Sequence, residues 1–100
     1  MNKWNIPFNL EMEIRKRDKR CVYCHSNFDA NSFKNRATWE HIDNNAKNIS
    51  VDNIVLCCSS CNSSKGVKTL INWLESSYCK RNGISKETVT SIVKKSLKLF

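Results

Sequence analysis

Two Cys-x-x-Cys pairs, two short β-forming runs between them and helical periodicity on both flanks predict a small α+β fold clamped by a metal ion. Cys21/Cys24 and Cys58/Cys61 are the pairs. Ala37–Ile42 and Ile54–Leu56 are the β-forming runs. Leu10 and Ile14 repeat at helical spacing before the first pair. Leu70, Ile71, Leu74 and Tyr78, then Val89, Ile92, Val93 and Leu97, do so after the second.

At 100 residues the chain is read as one domain, 1–100, with a small core that calls for a staple. Its 40% hydrophobic content is too high for a disordered tail. The net charge of +8 fits an acidic partner such as nucleic acid, but equally fits solubility alone, so charge does not decide function. No apolar run is long enough to span a bilayer, so no membrane partner is expected. No apolar segment of the signal-peptide kind follows Met1, which makes a reducing cytoplasm, bacterial or phage-infected, the expected compartment. There, six cysteines point to metal rather than to disulfides.

Along the chain, Trp4, Ile6, Pro7 and Phe8 read as an extended segment packing onto the domain. Asn9 can cap a helix running to about Arg20, with Arg15, Lys16, Arg17, Lys19 and Arg20 as a basic cluster on its outer face. Residues 25–36 form a polar loop anchored by Phe28 and Phe33. In the first strand Thr38, Glu40 and Ile42 alternate with Trp39 and His41. An Asn-rich loop, Asp43–Ser50, leads to the second strand. Ser59 or Ser60 then caps a helix carrying Asn62 and Lys65 and closed by Gly66. One helix is expected over Lys68–Arg81, and a last one from a Ser85 cap, the C-terminal helical span covering about 68–99.

A Cys-x-x-Cys turn converges two thiolates on one ion, and two such knuckles complete a tetrahedral zinc site. The spacer, positions 25–57, is longer than the roughly 15–20 residues of a plain zinc ribbon, so it carries structure of its own. Cys57 and the lone Cys79 read as packed small residues. Cys21–His25 also spells a c-type haem attachment signature, but this leaves the second pair unexplained and needs export. No role follows for His25.

Glu40-His41-Ile42, Asn53 and Cys58-Ser-Ser-Cys-Asn-Ser-Ser-Lys65, with the first knuckle, resemble an HNH endonuclease of the ββα-metal superfamily over about residues 21–66. The resemblance implies a ββα-metal core and phosphodiester hydrolysis leaving 5′-phosphate and 3′-hydroxyl ends. It gives His41 the part of general base, an imidazole being uncharged near pH 7 and able to take a proton from water. It implies that Glu40 and Asn62 hold a catalytic Mg²⁺ or Mn²⁺, oxygen donors suiting a hard cation. It makes Asn53 the brace of the loop between the strands. Lys65, one turn after Asn62, would contact phosphate. Glu in place of the more usual Asp or His, and Asn62 in place of His, make this an H-N-N variant. Adjacent strand residues leave by opposite faces, so a bulge or strand end is expected at Glu40-His41 to bring both to one ion.

The reading is therefore a metal-dependent DNA endonuclease with a structural Zn²⁺. DNA backbone contacts are expected from Arg15, Lys16, Lys19, Arg20, Lys65 and Lys68. One site per chain makes a double-strand break the work of two chains, as in a homodimer or larger complex, or of two visits. The rival readings are a non-catalytic zinc-knuckle module that binds DNA and a zinc-stabilised protein-interaction domain.

Overall fold

The computed structural model describes residues 4–98. The order is α1 (Phe8–Arg17), β1 (Ala37–His41), β2 (Ile54–Cys58), α2 (Ser59–Lys65), α3 (Leu70–Leu74), α4 (Ser77–Arg81) and α5 (Ser91–Leu97). Among the described residues this is a small α+β fold: a two-stranded antiparallel sheet, five helices and a cysteine cluster, consistent with a ββα-metal core. Leu99, the end of the expected helical span, lies outside the described residues.

Strands β1 and β2 pair in unbroken register, from Ala37 opposite Cys58 to His41 opposite Ile54. Residues opposite each other share a face, so the sheet has two distinct sides. Thr38, Glu40, Val55 and Cys57 share one side, and Trp39, His41, Leu56 and Ile54 share the other. Each side feeds its own core. On the first, Val55, Cys57 and Ile42 join Tyr23, Leu70, Trp73 and Val93. On the second, Ile54 and Leu56 pack with Ile6 and Ile14, and Trp39 lies against them. Every residue of β2 is buried because both faces are covered, which is why that strand reads as an uninterrupted apolar run.

The end of α1 seals the free edge of β2. Asp18 accepts from the Leu56 amide at 3.0 Å, and Arg17 donates to the Val51 and Ile54 carbonyls at 2.6 and 2.8 Å. Backbone groups that would template aggregation are thereby consumed.

Helix boundaries depart from the sequence reading in three places. First, α1 starts at Phe8 after Pro7, with no side-chain cap, and stops at Arg17 because Asp18 turns to β2. Second, the expected Lys68–Arg81 helix is two helices. Thr69 caps α3 and Ser76 caps α4, each accepting from the amide three residues on. A cap of that kind contributes about 0.5–2 kcal/mol and offsets the break. Third, the last helix begins at Ser91. The segment from Ser85 is held as turns by Thr88 Oγ1, which accepts from the Ser85 amide and donates to the Gly83 carbonyl, and the Thr90 amide is spent on the Val22 carbonyl. Helix α2 ends as expected at Gly66, in the left-handed region at φ 50°.

Candidate functional site

The first knuckle is a tight turn closed by two backbone bonds, Cys21 N–H to Ser26 O and His25 N–H to Cys21 O, with His25 left-handed at φ 64°. The second knuckle is the β2–α2 junction. Cys58 is itself the N-cap of α2, its Sγ accepting from the Cys61 amide at 3.4 Å; the expected Ser59 and Ser60 are displaced from that duty. The Cys24 amide points at Cys21 Sγ in the same way, at 3.5 Å. All four Sγ atoms lie within 4.8 Å of one another, and Cys24 and Cys58 approach to 3.7 Å. Tetrahedral Zn–S bonds of about 2.3 Å require sulfurs about 3.8 Å apart, so the cluster fits zinc. Hydrogen bonding among the four thiols pushes Cys24 and Cys58 down and Cys21 and Cys61 up.

Two partners of these sulfurs escaped the sequence reading. Tyr78 Oη lies 3.3 Å from Cys61 Sγ and 2.9 Å from Ser60 Oγ, and Ser26 Oγ lies 3.2 Å from Cys24 Sγ. Tyr78 sits at helical spacing with Leu74, which marks it as core and nothing more. The ring of His25 meets the Thr88 carbonyl, tying the knuckle to the segment before α5. Cys57 and Cys79 are buried, and burial pushes both thiols up, as fits packed residues.

Glu40 and His41 part company. Strand β1 ends at His41, but its register is regular to that end, with no bulge, so the two side chains leave by opposite faces. Glu40 turns to the side carrying α2. There it meets the hydroxyl of Tyr23 through Oε2 and the ammonium of Lys65 through Oε1 at 2.9 Å. Lys65 is wholly buried and Glu40 nearly so, at 0% and 6% side-chain exposure. The expectation that Lys65 contacts phosphate is thus corrected. It lies on the same helix face as Asn62, but that face points inward, where its ammonium also donates to Ile42 O at 3.0 Å and Asn44 Oδ1 at 2.9 Å.

Asn62 also faces β1, donating to Thr38 Oγ1 at 2.9 Å and Trp39 O at 3.2 Å. Its amide oxygen is the donor left for an ion. With the Glu40 carboxylate buried and its charge paired with Lys65, Glu40 and Asn62 as placed do not form an open divalent-ion site.

His41 sits on the side of the sheet that carries α1, half-buried, and its Nε2 is buried without a hydrogen-bond partner among the described residues. Two residues back on the same face, Trp39 lies under the guanidinium of Arg15, 5.0 Å from its ring centre. Lys16, Lys19 and Arg20 are exposed beyond Arg15, and Lys68 is exposed after α2. Arg17, part of the basic cluster in sequence, is instead consumed by Asp18 and the β2 edge.

Asn53 ties the loop that follows His41. Its side chain accepts from the Asp43 amide at 3.1 Å and donates to Asp43 Oδ1 and Asn48 O, both at 3.0 Å, while its carbonyl accepts from the Ile42 amide. Residues 21–68 match the family model described as HNH endonuclease. This segment is an HNH domain. No curated protein and no solved structure matches the chain.

The HNH segment takes in both knuckles, the sheet and α2, and leaves out α1 and α3–α5. The match points to nuclease or DNA-binding function, with DNA as the partner. HNH domains are in general nucleases and commonly use divalent metals. No helix among the described residues is long and apolar enough to cross a membrane.

Proposed function

We propose that this chain is a DNA endonuclease that hydrolyses phosphodiester bonds with His41 as general base, leaving 5′-phosphate and 3′-hydroxyl ends. The observation that carries this reading is the unpartnered Nε2 of His41 inside an HNH segment. A buried nitrogen without a partner costs about 1–3 kcal/mol, a cost that a proton-accepting role accounts for. The imidazole removes a proton from water, the resulting hydroxide attacks phosphorus, and the bond to the 3′ oxygen breaks, that oxygen taking a proton from solvent and the imidazolium later returning its own to solvent. Asn53 holds the loop so that the backbone around His41 keeps one conformation. Arg15, which lies over Trp39 on the His41 side of the sheet, and the exposed Lys16, Lys19, Arg20 and Lys68 hold the DNA backbone by charge. Mg²⁺ or Mn²⁺ is proposed with this activity on the family's grounds alone, since Glu40 and Asn62 do not compose an open ion site. A structural Zn²⁺ is proposed at the four cysteines.

The buried Glu40–Lys65 pair favours a second reading, a zinc-knuckle module that binds DNA without cutting it. Plasmid nicking by the wild type and by His41→Ala, with Mg²⁺ and with Mn²⁺, separates the two. The expected result is a loss of about 10²–10⁴-fold in rate with DNA affinity and melting temperature unchanged. Equal rates in both proteins, or DNA binding with no nicking by the wild type in either ion, would establish the second reading.

A further inference from the structure

We infer that the Lys65 ammonium, and not a divalent ion, is the cation that neutralises Glu40, so that Glu40 is a positioning residue and any catalytic ion is held without it. The charges are paired. Lys65 Nζ stands 2.9 Å from Glu40 Oε1 as an ion pair, without the alignment of a hydrogen bond, and donates to Ile42 O and Asn44 Oδ1 at 3.0 and 2.9 Å. The other carboxylate oxygen of Glu40 takes the Tyr23 hydroxyl. Tyr23 is buried and packs edge-on against Trp73 at 4.8 Å, and the Trp73 indole donates to Ser64 Oγ on α2, so the cage around the pair is itself fixed.

A dication arriving at Glu40 would stand beside a buried ammonium with no solvent to screen the repulsion. Lys65 has no exposed path by which to withdraw, being wholly buried. The polar groups that Lys65 gathers explain what the pair does instead. Ile42 follows His41 directly, and Asn44 is left-handed at φ 63°, its amide bonded to the His41 carbonyl. Asn44 Nδ2 in turn reaches the Val67 and Lys68 carbonyls at 3.2 and 2.9 Å. The pair therefore clamps the end of β1 and the start of its loop onto the end of α2. That clamp sets the backbone on which His41 stands.

The inference rests on the nuclease reading only for the ion whose ligands it reassigns; the ion pair stands without it. Its test is Mn²⁺ titration of the zinc-loaded protein followed by electron paramagnetic resonance, the thiolate site preferring Zn²⁺ to Mn²⁺. Glu40→Gln is expected to bind Mn²⁺ within about threefold of the wild type. Lys65→Met, which frees the carboxylate, is expected to bind it at least about tenfold more tightly, and Lys65→Arg as the wild type does. A wild type that binds no Mn²⁺, with binding gained in Lys65→Met, would also support the inference while removing the ion from the proposed function. Tenfold weaker binding in Glu40→Gln, or no gain in Lys65→Met, would overturn it. Should Glu40→Gln not fold, the contrast between Lys65→Met and Lys65→Arg decides alone. Nicking by His41→Ala tests the nuclease reading separately, so the failure of one is not read as the failure of the other.

Discussion

The four thiols at the knuckles and the Glu40–Lys65–Tyr23 group behind β1 are both polar convergences sunk in the same core, but they are completed from different sources. The thiols are four soft donors with amides aimed at them, a set that can hold an ion from solution. The carboxylate is completed by an ammonium from the chain itself. The difference teaches that a carboxylate at a metal-ligand position in sequence is a ligand only if the fold leaves its charge unpaid.

The largest effect that would break this comparison is at the thiols. Cys61→Ala is expected to abolish zinc retention and to leave the domain unfolded at 25 °C, because binding at such sites is worth about 10–16 kcal/mol of folding free energy. Elemental analysis and far-ultraviolet circular dichroism check it, with about one zinc per wild-type chain as the reference. A folded, zinc-free variant would mean that the core stands without the clamp.

Next in size is the ion pair. Lys65→Met leaves a buried carboxylate without its cation and is expected to lower stability by about 3–5 kcal/mol in urea unfolding of the zinc-loaded protein. Adding Glu40→Gln should recover most of the loss, since no unpaired buried charge then remains. If the two single losses simply add, the groups are not coupled as the 2.9 Å contact implies.

Asn53→Ala should cost less, about 1–3 kcal/mol, through the unsatisfied Asp43 amide and Asn48 carbonyl. It is also expected to slow nicking, because the loop after His41 loses its tie. Unchanged hydrogen exchange at the Asp43 amide would show that the loop holds without Asn53.

The smallest effect is pH-dependent. Burial works to raise the Asp43 carboxyl, but the bonds from Asn48, the Asn45 amide and Asn53 outweigh it and hold the group below its ordinary value of 3.8. A depressed carboxylate stabilises the fold above its unfolded value and loses that contribution as pH falls through the folded one. Loop protection should therefore be flat above pH 3.8 and fall below it. In Asp43→Asn that acid-side step should vanish, as amide exchange at Asn45 and Asn53 would show.

How much of this could be read in the chain varies residue by residue. The cysteines were legible because a Cys-x-x-Cys turn is local: the sulfurs and the amides that point at them come from one short run. The alternation of Thr38, Glu40 and Ile42 against Trp39 and His41 was legible too, but not which side is buried with α2. Ser59–Lys65, four serines with one cysteine, one asparagine and one lysine, has no broad apolar stripe, and the one mark of its inner face is Cys61, a turn before Lys65. Its place one turn after Asn62, in a segment resembling a nuclease site, pointed Lys65 to phosphate instead. The α3–α4 break was hidden by Leu70, Leu74 and Tyr78, whose spacing runs across it, although Ser76 is a cap in plain view. Tyr78 as a sulfur partner had no signal beyond its spacing.

By itself the sequence determined the order of elements as far as α2, the two knuckles and the HNH signature, because each rests on spacings of a few residues and on local backbone geometry. The tertiary structure alone decided the partners of Glu40. Tyr23, Glu40, Asn44 and Lys65 come from the first knuckle, β1, its loop and α2, and no local pattern encodes their meeting. A buried charge takes whichever opposite charge the packing brings within reach, and the packing here brings an ammonium.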